Sequence, residues 1–358
     1  MGWRVKKIFL CLIIICLVLT GCFGKNDEKK VLEEFQNKIN NANSYYLTGE
    51  MELVNNEDVY NYNISVSYMK DDYYKIELVN MINDHKQIIL RNDEGVYIVT
   101  PSLNKSFKFQ SDWPYNNSQV YLLSSLLDDI SNDENRTFED SDDDGYIFTS
   151  SVNYPNNEKL VSQKVYLGDN YLPKKVTVLD VNGDTQISMK YDKIDLNTKF
   201  NEDYFDLNSI LSINKASTGS TSNSTTSTGN VSSNTVTDNT TKETATIDDI
   251  IYPMYLPVNT YLTSQEKVNT DDGERLILTF TGDKSFVLME AVAKYSDTPE
   301  IIPTYGTPEL IGSSLAVINN NSVNWFDNGV EYYIVSEVMN TDELLQVVRS
   351  ISVLPVSK

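Results

Sequence analysis

Between residues 47 and 78, apolar and polar side chains alternate with a period of two. In three successive runs every second residue is apolar or aromatic, and the residues between them are polar or charged. Because successive side chains of a β-strand point to opposite faces, each run predicts a strand with one buried and one solvated face. Such one-sided strands are typical of antiparallel sheets. The runs are Leu47–Leu53, Tyr60–Tyr68 and Tyr74–Leu78.

The chain up to residue 212 adds further strands and two amphipathic helices. Apolar residues at helical spacing predict helices over 31–42 and 118–130. The pair Asn182-Gly183, between two alternating runs, predicts a type I′ hairpin. Many strands with one helix before them and one among them indicate a large curled sheet covered by helices. The further predicted strands are Gln87–Arg91, Gly95–Thr100, Ser106–Phe109, Tyr146–Ser150, Ser162–Leu167, Lys174–Leu179 and Thr185–Tyr191.

The first 21 residues have the layout of an export signal. Basic residues at positions 4, 6 and 7 precede an apolar run over 8–18, which is shorter than the ~20 residues of a membrane span. The stretch Leu19-Thr20-Gly21-Cys22 then offers small residues to a peptidase and a thiol to thioether lipidation. It resembles a bacterial lipoprotein signal, which implies lipidation of Cys22, a tether over 22–30 and a place on the extracytoplasmic face of the membrane. An ordinary cleaved signal and a retained membrane anchor are the alternatives.

Charge and cysteine content agree with this location. Cys11 and Cys16 lie in the signal, so Cys22 is the one thiol left after cleavage and no intramolecular disulfide can form. The chain has a net charge of −22. A polyanion repels nucleic acid and anionic headgroups, so the sequence predicts no nucleic-acid partner and a membrane contact made through acyl chains.

Several motifs resemble the LolA/LolB lipoprotein-carrier family over residues 31–212. They are Tyr45-Tyr46-Leu47-Thr48-Gly49, Asn92-Asp93-Glu94-Gly95-Val96-Tyr97, Leu172-Pro173-Lys174-Lys175-Val176, Gly183, Met189-Lys190-Tyr191 and Phe205. The resemblance implies an unclosed antiparallel β-barrel with a helical lid around an apolar cavity for acyl chains. It extends to germination lipoproteins of the GerS type in Gram-positive spore formers, which assist a cortex-modifying amidase. The implied partners are therefore an acyl chain or a protein such as a cortex amidase.

The apolar strand faces and the second helix supply candidate binding residues. The tyrosines are amphipathic and suit either a ligand cavity or a protein interface. The leucine stripe of the helix suits either the core or a lid over the cavity mouth. The candidates are Tyr62, Ile64, Val66, Tyr68, Ile76, Leu78, Leu123 and Leu126.

Residues 213–246 differ in composition from the rest of the chain. From Lys215 to Thr246 there is no aromatic residue, leucine or isoleucine, and Ser, Thr, Asn and Gly dominate. Such a segment cannot bury enough apolar surface to offset the entropy lost on ordering. We therefore predict a disordered linker that separates two domains.

Residues 247–358 predict a small α+β domain. Asp327-Asn328-Gly329 between alternating runs marks a hairpin, and Asn340 with Glu343 forms a capping pair at the start of a helix over 341–351. The predicted strands are Arg275–Thr281, Ser285–Ala293, Val323–Phe326 and Val330–Ser336. The block Trp325…Asn328-Gly329…Tyr332-Tyr333…Leu344-Leu345…Ser350-Ile351 is similar to a domain of unknown function (DUF4367) of extracytoplasmic lipoproteins.

The sequence offers little catalytic chemistry. The stretch Asp140–Ile147 matches the start of a calcium loop, but Ser151 stands where a bidentate Glu is needed, so an acidic turn between strands is favoured over weak calcium binding. His85 is predicted to lie in a solvated loop. Pairs such as Glu50/Glu52 and Asp128/Asp129 are expected in so acidic a chain. No phosphate loop, metal-ligand spacing or nucleophile elbow occurs, so no metal, cofactor or catalytic residue is predicted.

These observations predict a membrane-anchored, non-catalytic binding protein outside the cytoplasm, for an acyl chain or a protein partner, in spore germination or envelope maintenance. A structural or sensory surface lipoprotein without a ligand is one alternative. A hydrolase that uses acidic residues is the other.

Overall fold

The computed structural model describes residues 27–218, 247 and 250–351, except for 57, 116 and 272. The predicted signal, Cys22 and most of the predicted linker lie outside the described residues. Within the described part, no helix has both the length and the apolar character needed to cross a bilayer.

Most of the helices and strands lie where the helical spacing and the alternation predict them. In chain order they are α1 (Glu28–Asn40), β1 (Ser44–Asn55), β2 (Asp58–Met69), β3 (Tyr73–Asn80), β4 (Lys86–Asn92), β5 (Gly95–Thr100), β6 (Lys105–Phe109), α2 (Leu123–Asn132), β7 (Thr137–Ser141), β8 (Gly145–Ser151), β9 (Leu160–Leu167), β10 (Pro173–Asp180), β11 (Thr185–Leu196), α3 (Leu207–Thr218), β12 (Thr260–Thr270), β13 (Gly273–Gly282), β14 (Phe286–Val292), β15 (Glu300–Thr304), β16 (Thr307–Ile311), β17 (Ser314–Ile318), β18 (Ser322–Asp327), β19 (Val330–Val335) and α4 (Thr341–Val348).

Twelve strands form one large sheet in the order β15-β6-β5-β4-β3-β2-β1-β11-β10-β9-β8-β7. All neighbours are antiparallel except β15 and β6, and the two outermost strands do not pair, so the sheet is unclosed. The alternation holds: β3 is buried at every second residue. This confirms the predicted mainly-β fold with an unclosed antiparallel sheet and helices.

Helices cover both faces of the large sheet. Val31 and Phe35 of α1 and Leu126 of α2 pack into the main core with Leu47 and Ile76 of the strands. We call this the inner face. On the other face, Leu207, Ile210 and Leu211 at the start of α3 pack against Ile88, Leu90, Tyr97 and Val99 of β4 and β5. The backbone of α3 continues to Thr218, so the first residues of the predicted linker are helical.

One helix starts later than predicted. The spacing placed its start at Ser118, but α2 begins at Leu123. The amide of Ser118 donates to the carbonyl of Asn153 (2.8 Å), and the amide of Gln119 donates to Oγ of Ser125 (2.8 Å). The amide of Leu122 donates to the carbonyl of Gln119 (3.1 Å), so residues 118–122 form a separate turn beside the loop after β8.

A seven-stranded sheet in the order β12-β13-β14-β19-β18-β17-β16 forms the later part of the chain, with α4 packed on it. The predicted capping pair is confirmed: the Asn340 side chain accepts from the amide of Glu343, and the Glu343 side chain accepts from the amide of Asn340. Strands β7, β12, β15, β16 and β17 were not predicted. In β7 the residues Thr-Phe-Glu-Asp-Ser contain one apolar side chain, too few for an alternating signal.

The two parts of the chain share a sheet and a core, which the division at residue 246 did not anticipate. Strand β15 pairs in parallel with β6, and Leu315, Val317 and Phe326 belong to the main core. The amide of Leu315 donates to Oε1 of Gln87 (2.6 Å), and the rings of Phe107 and Phe326 stack with centroids 5.5 Å apart. The linker is therefore not the only connection between the two sheets.

Two polar loops were also predicted. Residues 142–144 form the turn between β7 and β8. This agrees with the favoured prediction of an acidic turn between strands. The environment of His85 is less solvated than predicted. Nε2 of its ring is buried without a hydrogen-bond partner, and burial lowers the pKa of the imidazole. The turn folds back on itself, with the amide of Asn80 donating to the carbonyl of His85 (3.0 Å).

Candidate functional site

The eight predicted binding residues lie in the packed core of the inner face. Seven of them are at most 2% exposed, and Tyr68 is partly buried against the same core. None of them lines the two hollows described below. The hydroxyl of Tyr62 donates to the carbonyl of Gly312, so this side chain contacts the second sheet. Their role in binding a ligand stays a prediction, as does the lipidation of Cys22.

The hollows lie at one end of the large sheet, which we call the cleft end. There β1 and β8 end at Asn55 and Ser151, β10 ends at Asp180, and β9 begins at Leu160. The strand register brings these termini to the same end, because Leu53 pairs with Ile187, Asp180 with Leu160, and Ser151 with Ser162. The second sheet approaches this end through β16 and the end of α4.

The inner hollow is a cavity of about 320 Å³ between the cleft end and β16. Its walls come from the last residues of β1, the start of β11, the segment before α2, the loop before β9 and β16 itself. The apolar part of the lining consists of Met51, Leu53, Val54, Ile89, Val120, Tyr121, Tyr154, Pro155, Leu160, Ile187, Pro308 and Leu310.

An outer hollow of about 850 Å³ lies beside the inner one and is lined mostly by polar and charged residues. Asn56, Asn156, Asn157, Lys159 and Arg349 line both hollows, so we treat the two as one interdomain cleft. The rest of the outer lining is Asp58, Glu158, Met254, Tyr255, Asp342, Gln346 and Ser350. Apolar residues thus make up half of the inner lining, whereas most of the residues that line the outer hollow are polar.

Arg349 holds the cleft together from the end of α4. Its Nη2 lies 3.3 Å from Oε1 of Glu309 and donates to the carbonyl of Asn156 at 3.0 Å. Nδ2 of Asn156 in turn donates to Oε2 of Glu309 at 2.5 Å. The carbonyl of Arg349 accepts from Nδ2 of Asn55 (3.1 Å) and of Asn56 (3.3 Å). One residue of the second sheet domain is therefore bonded to two loops of the first.

Burial shifts the pKa of three groups in the cleft. It raises the pKa of the Glu309 carboxyl, while Arg349 and Asn156 act in the opposite direction. Burial also raises the pKa of the Tyr121 phenol, with Glu309 adding to the shift, and raises that of Tyr154. Both phenols stay neutral at physiological pH, so the inner wall carries no charge from them. Lys159 makes no ion pair within the described residues.

Carboxylates elsewhere do not form a second site. Burial raises the pKa of Glu290 to about 7, but this side chain is fully buried in the second sheet domain and lines neither hollow. Asp129 of α2, whose pKa burial raises to about 6, accepts from Nε2 of Gln163. Glu50 and Glu52 are exposed, as predicted. In the described part of the chain, no three His, Cys, Asp or Glu side chains are grouped so as to hold a metal ion.

The ion pair between Glu309 and Arg349 was not identified from the sequence. Glu309 is a single carboxylate between Pro308 and Leu310, and Arg349 is a single cation after the apolar face of α4. A lone charge next to apolar residues is a signal that an ion pair is buried. The sequence does not reveal that these two charges meet, because the contact depends on how β16 and α4 pack.

Comparison with known proteins gives one family and several distant structures. The family model described as "Sporulation protein YdcC-like" matches residues 4–205. The chain is 28% identical over 351 residues to the "Sporulation protein YdcC" of Bacillus subtilis (strain 168), covering 97% of each protein. Among solved structures, a MucA/MucB complex of Pseudomonas aeruginosa shows 12% identity and a TM-score of 0.31, over 90% of this chain and 97% of that one. A complex of the CwlD amidase with the GerS lipoprotein from Clostridioides difficile shows 19% identity and a TM-score of 0.29, over 50% of this chain and 99% of that one.

Proposed function

This chain belongs to the YdcC-like sporulation protein family, and from this premise we propose that it is a lipid-anchored binding protein on the outer side of the membrane of sporulating cells. Its role is to bind, not to catalyse. The interdomain cleft is the binding site, and Cys22 carries the anchor.

The observation that supports the proposal is the interdomain cavity, with apolar side chains along its inner walls and mostly polar residues at its mouth. Side chains such as Leu53, Val120 and Leu310 offer apolar contacts to an acyl chain. At the mouth, the ammonium of Lys159 makes no ion pair within the described residues, so it is available to a carboxylate or phosphate. The ligand class that we propose is an amphipathic molecule with one acyl chain and a polar head that offers an oxygen acceptor to Lys159.

A displacement assay with a dansyl-labelled fatty acid tests this ligand class. We expect the labelled acid to bind the full chain and unlabelled fatty acids to displace it. Leu310→Trp, which fills part of the cavity, is expected to weaken binding at least about tenfold, a loss of about 1.4 kcal/mol. The matched control is Leu196→Trp, which adds the same volume to a partly buried site at the opposite end of the large sheet. Equal binding by both variants would remove the cavity from the proposal.

A second candidate ligand is an extended peptide segment of a partner protein, such as a cell-wall amidase. The observation that favours it is the row of amide side chains at the mouth, Asn56, Asn156, Asn157 and Gln346, because amides pair with peptide backbone groups. A pull-down from sporulating cells with the parent chain and with Gln346→Ala separates the candidates. A protein retained by the parent and lost with Gln346→Ala supports the peptide.

The anchor has its own test. Cells are fed an alkyne-tagged fatty acid, and the parent chain is compared with Cys22→Ser. We expect the tag on the parent only. Tagging of the Cys22→Ser variant, or of neither chain, would contradict lipidation at this residue.

A further inference from the structure

The segment from Tyr252 to Leu262 is unusual for a chain with so many charges. Seven of its apolar side chains are exposed, among them Met254 (85%), Val258 (81%) and Tyr261 (64%). No charged residue occurs from position 250 to position 265, although charged residues make up 22% of the chain. A concentration of exposed apolar side chains on a soluble body marks a surface that contacts a membrane or another protein.

This segment lies at the cleft end of the large sheet. Met254 and Tyr255 line the outer hollow opposite residues 156–159 of the loop between β8 and β9. The amide of Met254 donates to the carbonyl of Ser350 at 3.2 Å, and that of Tyr255 to Oγ of Ser350 at 3.0 Å. The apolar segment is therefore fixed beside the end of α4.

The N-terminus of α1 lies at the same end. Oε1 of Glu28 accepts from Nε of Arg136 at 2.8 Å. Asp133 lies three residues before Arg136 in the chain. Its Oδ2 accepts from the amide of Ser151, the last residue of β8, at 2.7 Å. Helix α1 thus begins next to the end of β8. The loop that follows β8 lines the outer hollow together with Met254.

The length of chain before that helix restricts the distance to the membrane. From Cys22 to Asp27 there are five peptide units, which span at most ~17 Å when fully extended. A lipid on Cys22 therefore keeps the cleft end close to the bilayer. The other parts of the molecule carry the net charge of −22, which repels anionic headgroups, whereas the uncharged segment does not.

We propose that the segment from Tyr252 to Leu262 rests on the surface of the lipid bilayer as a second membrane contact. The chemistry of its side chains fits that place: tyrosines at 252, 255 and 261 are amphipathic and suit the headgroup level, and Met254 and Val258 insert below it. The inference rests on the proposed anchoring at Cys22. It also orients the cleft, because Met254 and Tyr255 line the mouth that then opens toward the membrane.

Vesicle flotation of the chain from residue 22 onward, which carries Cys22→Ser and lacks both the predicted signal and the lipid anchor, tests the contact. We expect it to float weakly with phosphatidylcholine vesicles and less when phosphatidylglycerol is added. The variant Met254→Ser/Val258→Ser/Tyr261→Ser is expected to lower the bound fraction at least about fivefold. The control Tyr115→Ser removes an exposed aromatic ring beside the turn between β2 and β3, at the opposite end of the sheet, and is expected to float like its parent.

A fluorescence measurement complements flotation. Tryptophan is introduced at the exposed position of Val258, and at Tyr115 for comparison. We expect brominated phosphatidylcholine to quench the first and leave the second unchanged. Absence of flotation, equal flotation of the triple variant, or equal quenching at both positions would overturn the proposal. So would self-association in sedimentation that the triple variant abolishes, because the segment would then contact a second copy.

Failure of the second membrane contact can be distinguished from failure of lipidation at Cys22. If Cys22 is tagged by the alkyne fatty acid and the Cys22→Ser chain does not float, the anchoring stands and the second contact fails. If Cys22 is not tagged and the chain floats through Met254, Val258 and Tyr261, the anchoring fails and the membrane contact stands.

Discussion

The middle of the inner face and the cleft end are built from the same strands, but only the middle is closed. Around Ile76, helices α1 and α2 lie on the sheet and no exposure remains. Near Leu53 the cover is β16 and Arg349, which contact this end of the sheet through Leu310 and a few polar bonds and leave a cavity. Helix packing fills space with apolar side chains, whereas contacts between loops satisfy polar groups and tolerate voids.

The largest expected effect comes from the closed region. Ile76→Ala removes a fully buried side chain and leaves a void, so the free energy of unfolding falls by about 2–5 kcal/mol. Urea denaturation measures this loss. Affinity for the dansyl-labelled fatty acid is expected to stay within about twofold, because Ile76 does not line the cleft. Ile76→Val, with an expected loss of about 0.5–1.5 kcal/mol, is the graded control. A large change in affinity would show that the middle of the face also binds ligand.

The next effect concerns the ion pair of the cleft. Arg349→Met leaves the Glu309 carboxylate without its cation, and both side chains are about four-fifths buried. The free energy of unfolding at neutral pH should fall by about 1–3 kcal/mol. The double variant Arg349→Met/Glu309→Leu should recover most of it, since no unpaired charge remains. A double variant as unstable as the single one would mean that Arg349 acts through its other hydrogen bonds.

A smaller effect distinguishes the wall of the cavity from the core. Leu53 is partly buried and faces the cavity, so Leu53→Ala should lower the free energy of unfolding by only about 1 kcal/mol. Affinity for the labelled fatty acid should fall several-fold in the same variant. Ile76→Ala is therefore expected to lower stability and leave affinity nearly unchanged, whereas Leu53→Ala is expected to lower affinity and change stability little. A loss as large as that of Ile76→Ala would contradict an open cavity next to Leu53.

The smallest effect is a pH dependence. Burial raises the pKa of Glu309 above its ordinary value of 4.5. The folded state therefore holds its proton more tightly than the unfolded chain, and the stability due to this group is present in full below pH 4.5. It is lost as the pH rises through the folded pKa. Relative to Glu309→Gln, the parent chain should lose free energy of unfolding over that range in urea titrations. A constant difference between the two would show that Glu309 titrates as it does in the unfolded chain.

Much of the fold was predictable because the signal is local. Alternation in Tyr60–Tyr68 and Tyr74–Leu78 identifies strands whose faces differ in burial, and the Asn340/Glu343 cap identifies the start of α4. Strand β12 lacked such a signal, since both its faces are largely exposed, and β15 lacked one because it joins the edge of a sheet formed two hundred residues earlier.

Sequence alone was enough to predict a mainly-β chain, strands with one apolar face, two amphipathic helices and a single cysteine outside the predicted signal. These properties follow from side-chain periodicity and composition, which act over a few residues. The tertiary structure decided which part of the apolar face stays open, and it brought Glu309, Asn156 and Arg349 together. Those residues are separated by up to 193 positions, and only the packing of the second sheet against the cleft end makes them neighbours.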